Sequence, residues 1–154
     1  MKELGSGFTI TGEVTFKVKR GDGSILTTTL HNLVVNYGLV GLATVIAGGS
    51  AFGAMTNIAM GDSSVAASLG DTTLGNELRR DVAVVAQLPN PEDNKIQFQI
   101  EHAQGAVVGT FKEAGLFDQN TLGGNMFNRL VFADLVVGAG DTLTVTWLIE
   151  VRNA

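Results

Sequence analysis

The chain has 154 residues, no cysteine, and 15 Asp and Glu against 10 Lys and Arg, for a net charge of -5. That length suits one domain with one core. The missing cysteines exclude disulfides, thiolate catalysis and Cys-bound zinc, and the acidic balance disfavours a phosphate backbone, which needs Lys and Arg to displace counterions.

From the N-terminus, the opening MKELGSGFTI has no apolar stretch of the kind a secretory signal needs. Phe8–Lys19 then alternates. Phe8, Ile10, Val14, Phe16 and Val18 fall on one face, with Thr9, Thr11, Glu13, Thr15, Lys17 and Lys19 on the other. A period of two over this length predicts a strand with one face buried. Gly21-Asp22-Gly23 is a hairpin turn, and the chain returns as SILTTTLHNLVV. Residues 1–31 are thus an N-terminal β-hairpin, read as an arm or attachment element. Next, Asn36 is expected to cap a short helix that Gly48 and Gly49 stop. Leu39, Leu42, Ala43 and Ile46 form its inward stripe.

From Asn32 to Gly61 no residue is charged. Asn36, Ser50, Asn57 and several glycines interrupt the stretch, so it reads as buried structure and not as a membrane span. Beyond it lie a strand at TNIAMG, a loop, and a strand ELRRDVAVVAQLPN with Val82, Val84, Ala86 and Leu88 on one face. KIQFQIEHA points Ile96, Phe98 and Ile100 inward. Two further strands flank the glycine-rich DQNTLGGN, and TLTVTWLIEVRN closes the chain, with Leu143, Val145, Trp147, Ile149 and Val151 alternating. About eight strands and one helix predict a single mainly β domain, residues 1–154. The expected form is an antiparallel two-sheet β-sandwich, jelly-roll-like.

The sites are sparse. Gly61-Asp62-Ser63 has the look of a hydrolase serine, but such a serine needs a base, and His31 and His102 are the only histidines. A turn, with Asp62 and Ser63 bonding its backbone, is the better reading. Arg20-Gly21-Asp22 is an integrin-type tripeptide on a hairpin that wants Gly-Asp-Gly anyway. Asp62, Asp71, Glu77 and Asp81 lack the tight alternating spacing of a calcium loop. The Gly-rich segment from Gly38 has no Gly-Lys-Ser/Thr ending to cradle phosphate. Glu77, Arg79, Arg80, Glu113 and Arg129 form either a structural ion network or, since Arg is enriched at contacts between chains, an interface. No catalytic residue, cofactor or metal is expected. One Trp and one Tyr leave few platforms for stacking sugars.

The order of segments carries a resemblance. HNLVVNYGLVGLATVIAGG, NIAMGDSS, GDTTLGNELRR, FKEAGLFD, GGNMFNRLVF and LTVTWLIEV, over Asn32 to Val151, resemble a family of small virion structural proteins of tailed bacteriophages. Either Arg79 or Arg80 answers to the family's Glu-x-x-Arg-like position, and the N-terminal hairpin lies outside the similar part. The resemblance implies a non-enzymatic virion component assembled in the bacterial host cytoplasm. Capsid decoration (cement) comes first, and a tail, neck or baseplate adaptor is the alternative. The partners it implies are other copies of the chain, as a homotrimer, and the major capsid protein or tail and neck proteins. No nucleic acid or membrane is expected. Charged residues make up only 16% of the chain, against roughly 25% in an average soluble protein, so neutral surface is left for another chain to cover.

Overall fold

A computed structural model describes residues 7–50, 53–92 and 94–153. The sequence readings that touch 1–6, 51–52, 93 and 154, and the side chain of Phe8, lie outside the described residues. Among the described residues, ten strands and one helix follow in chain order: β1 Phe8–Lys19, β2 Ile25–His31, β3 Leu33–Val34, α1 Asn36–Ile46, β4 Asn57–Gly61, β5 Glu77–Val82, β6 Val84–Gln87, β7 Lys95–His102, β8 Gly109–Phe117, β9 Met126–Val137 and β10 Thr142–Asn153. They form two five-stranded antiparallel sheets, β2-β1-β10-β7-β6 and β3-β9-β8-β4-β5. The two sheets pack face to face as a β-sandwich.

Alternation builds the core. Antiparallel pairing sets Val14 opposite Trp147, Phe16 opposite Val145 and Val18 opposite Leu143. All six are buried, and they meet Ile58, Met60, Leu116, Leu135 and Val137 of the second sheet. Each Val, Leu, Ile, Phe or Met side chain so removed from water contributes about 1.5–3 kcal/mol. Gly12 interrupts the β1 pattern for a steric reason: a Cβ there would collide with the Asn32 side chain, whose Oδ1 accepts the Trp147 indole N–H at 3.1 Å. The buried indole thereby keeps a hydrogen bond, which a polar group shut away from water needs.

In the N-terminal hairpin β1 lies between β2 and β10, with its apolar face in the core, and β2 is at the sheet edge. Three expectations are corrected. The ELRRDVAVVAQLPN segment is not one strand. It changes sheets at the buried Ala83, so Val82 and Val84 stand 62% and 75% exposed instead of lining the core. On α1, Asn36 is the first helical residue and not the cap. Val35 holds the cap position with no side-chain hydrogen bond, and the Asn36 N–H goes to the Leu69 carbonyl.

The helix also turns a different face inward. Gly38 and Gly41 are buried, while Leu39, Val40 and Ile46 are exposed. A Cβ on Gly38 would run into the Phe127 carbonyl oxygen. The glycine face lets α1 come this close to β9. Of the expected inward stripe Leu42 is half-buried, while Leu39, Ala43 and Ile46 are exposed. The expected stop holds: Gly48 has φ +79, a left-handed conformation that glycine adopts freely at a helix end.

Candidate functional site

Gly61-Asp62-Ser63 is the corner where β4 leaves the second sheet. Gly61 has no room for a side chain, because a Cβ would meet the Asn76 carbonyl and stand 2.6 Å from Glu113 Oε1. Asp62 accepts from the Asn76 amide at 2.6 Å. The Ser63 N–H donates to Glu113 at 3.3 Å, and its hydroxyl oxygen accepts the Val65 N–H at 3.3 Å. Both of these Ser63 bonds hold the corner.

Glu113, 0% exposed, is the centre of this corner. Its Oε1 also accepts the Asn76 N–H at 2.7 Å, and its Oε2 accepts the Gly75 N–H at 2.9 Å. Arg129, 3% exposed, grips Oε2 through Nε at 3.1 Å and Nη2 at 2.8 Å. The same guanidinium donates to Asp71 at 2.6 Å and to the Val65 carbonyl at 3.1 Å. The pair thus pins residues 62–76 onto the sheet by backbone donors and one shared cation. Burial alone would raise the Asp71 carboxyl, but the Ser68 N–H and Arg129 outweigh it and hold it below its ordinary value. Burial likewise works against the Arg129 charge, and Asp71 and Glu113 more than restore it.

The other arginines do the same for neighbouring loops. Arg80 pairs with Glu77 at 2.7 Å, lies 3.7 Å over the Phe117 ring, and donates Nη1 to the carbonyls of Gln119, Thr121 and Gly123 at 2.8–3.0 Å. Arg79 makes a two-pronged pair with Asp81, at 2.6 and 2.8 Å, and reaches the Ala106 carbonyl. Buried His102 sits with Nε2 3.8 Å from Asp81 Oδ2. Burial first, then the Arg79 charge, pushes the His102 pKa down against the pull of Asp81. Of the five residues expected as an interface or an ion network, Glu113 and Arg129 therefore face inward, and Glu77, Arg79 and Arg80 clamp their own chain.

The remaining motifs resolve similarly. Arg20 is bound to Asp141 at 2.6 Å and to the Val136 carbonyl, and Asp22 closes its own turn on Ser24. Asp62, Asp71, Glu77 and Asp81 each have a different polar partner, and the described residues contain no group of three His, Asp or Glu that could hold a metal.

The opposite character appears along α1. The helix carries no charged residue, and its outward face presents Leu39, Val40 and Ile46. Beneath it, a cleft of about 410 Å³ opens between the sheets, lined by apolar residues that include Leu42, Val45, Val85, Phe98, Phe127 and Ile149. The core is not closed here. Phe98 and Ile149 belong to it, yet also face the cleft. The sequence marked this region only as an uncharged run, and the inverted helix face is what exposes it. Compared with protein-family models, with curated proteins and with solved structures, the chain matches none.

Proposed function

We propose that the chain is a non-enzymatic structural protein of a bacteriophage virion, foremost a capsid decoration protein that binds and stabilises the assembled head. The observation that carries the reading is the uncharged α1 with its outward apolar face and the open cleft beneath it. Contiguous apolar surface of this kind marks contact with another macromolecule. The resemblance of segment order over Asn32 to Val151 supplies the virion context. Contact works by association: each copy buries α1 and the cleft rim against a neighbour, at roughly 25 cal/mol per Å² of apolar area, against the entropy of docking. Repetition over a symmetric shell then multiplies a modest contact. The threefold positions of such a shell are where a homotrimer would sit.

Co-sedimentation of purified protein with expanded, undecorated capsids tests this. Binding that disappears in Val40→Lys/Ile46→Lys is the expected result. Binding to tail tubes instead of heads would move the protein to the tail, neck or baseplate adaptor role, and binding to neither removes the virion reading. A serine-reactive phosphonate that labels wild type but not Ser63→Ala would overturn the non-enzymatic assignment.

A further inference from the structure

β2 is an edge strand of the first sheet, with only β1 beside it. Exposed edges invite pairing, and proteins ordinarily blunt them with lysine, proline, a bulge or short length. The second sheet follows that practice: β3 has two residues, and β5 carries Glu77, Arg79, Arg80 and Asp81. β2 has none of these protections. It is seven residues long, ILTTTLH, without Lys, Arg, Asp, Glu, Pro or Gly, and its register with β1 is unbroken.

Its sequence also reads the same in both directions about Thr28: Leu26-Thr27-Thr28-Thr29-Leu30. An antiparallel neighbour of identical sequence, centred on Thr28, would set Leu26 opposite Leu30 of the second copy and Thr27 opposite Thr29 of the second copy. Such like-with-like pairs across strands are favourable. The faces match too. Leu26, Thr28 and Leu30 share the side of Val18, Phe16 and Val14, whereas Thr27 and Thr29 share the side of Lys17 and Thr15.

The backbone agrees with this register. Arg20 and Ser24 form a hydrogen-bonded pair at the turn, and the Asn32 N–H donates to Gly12 at the other end. Because hydrogen-bonded pairs alternate along an antiparallel ladder, Leu26, Thr28 and Leu30 turn their backbone groups toward β1. Ile25, Thr27, Thr29 and His31 turn theirs outward. Pairing about Thr28 brings outward residues only against outward residues: Ile25 with His31 and Thr27 with Thr29, each twice. That satisfies about eight backbone hydrogen bonds. A one-residue slip would bring outward groups against inward ones and put apolar side chains on the wrong face.

We propose that β2 is a self-pairing edge: two copies join β2 to β2 antiparallel about Thr28, fusing their five-stranded sheets into one continuous ten-stranded sheet. The second copy is the fitting occupant because the same patch serves both sides of a twofold contact, as a closed symmetric interface requires. An uncharged strand is also where two chains of net charge -5 meet with least repulsion. The contact is twofold, distinct from α1 and the cleft, and does not depend on where the protein resides.

Because the chain has no cysteine, single cysteines test the register. Thr28→Cys places two thiols at the symmetry axis, where facing Cα atoms of a non-hydrogen-bonded pair lie about 4.5 Å apart, within the roughly 4.4–6.8 Å that a disulfide spans. Mild oxidation should convert Thr28→Cys to a covalent dimer at least tenfold faster than Thr27→Cys or an exposed control, Thr121→Cys. Equal rates would overturn the proposal.

Sedimentation equilibrium gives the independent check. Wild type should reach twice the 16.1 kDa of one chain. Thr27→Lys/Thr29→Lys, which sets lysine against lysine, should stay monomeric. Thr27→Lys/Thr29→Glu, which sets lysine against glutamate, should pair again. If the two double variants associate equally while both keep wild-type melting curves, the twofold pairing is wrong. Loss of capsid binding with this pairing intact would instead remove only the virion reading.

Discussion

Two neighbouring regions of one sandwich have been finished by opposite means. Along loops 62–76 and 118–125, Arg129 and Arg80 with their carboxylates fasten the chain to the second sheet. Along α1 no residue is charged, the helix shows apolar side chains outward, and an apolar cleft lies beneath it. The difference teaches where to look for partners. The cluster rich in Arg and Glu is tied together by ion pairs within the chain, whereas the uncharged helix leaves its apolar side chains exposed.

The largest expected effect breaks the fastened region. Arg129→Met leaves the Glu113 carboxylate buried without its cation, and removing one partner of a buried pair costs about 3–5 kcal/mol. At about 2–4 °C per kcal/mol for a chain of this size, the melting temperature should fall by roughly 10 °C. A drop of a degree or two would mean the clamp is ornamental. Next comes Gly38→Ala, which pushes α1 off the Phe127 carbonyl. Overpacking of this kind costs about 1–3 kcal/mol, and the helix signal in circular dichroism should weaken while the strand signal persists.

Acid should weaken the charged region. The folded carboxyls of Asp71 and Asp81 lie below their ordinary 3.8. For Asp81, burial acts upward, but Arg79 and then His102 overcome it. Their stabilisation is therefore complete above the unfolded value and lost as pH falls through the folded one. His102, lowered from 6.5, titrates earlier with the same sign: stability is full above 6.5 and declines below it, as the unfolded chain takes up the proton first. Denaturant midpoints measured from pH 8 downward should show a shallow decline below 6.5, absent in His102→Gln, and a steeper one below 3.8. The smallest effect on stability should come from Val40→Lys/Ile46→Lys. Exposed substitutions usually stay within about 0.5 kcal/mol each, so an unchanged melting curve beside abolished docking would sharpen the contrast most.

The sandwich was legible because alternation is a direct readout of which side faces the core. Val14, Phe16 and Val18, or Leu143, Val145 and Trp147, announce their own burial. Two things were not legible. The valines of β5 and β6 keep the alternating rhythm across a change of sheet, and nothing local says that Ala83 is the crossing point. On α1, periodicity pointed to the larger residues as the inner face. The deciding contact, Gly38 against the Phe127 carbonyl, lies far away in sequence. The clamp had left a fainter trace. Glu113, beside Lys112 in an otherwise uncharged strand, and a lone Arg129 inside MFNRLVF are charges among apolar residues, and a buried charge must find a counter-charge. What the one-dimensional pattern omitted was that β8 and β9 run side by side and bring the two together.

Trp147 has a consequence of its own. It is the single indole of the chain, sealed at the middle of the first sheet with its N–H occupied by Asn32. Its emission is thus an optical gauge with one address. It should shift to longer wavelength when the layers part, and stay silent when a helix face or a strand edge merely acquires a neighbour. Two residues further along the same face, Ile149 borders the cleft, so whatever enters there arrives within earshot of the chain's single tryptophan.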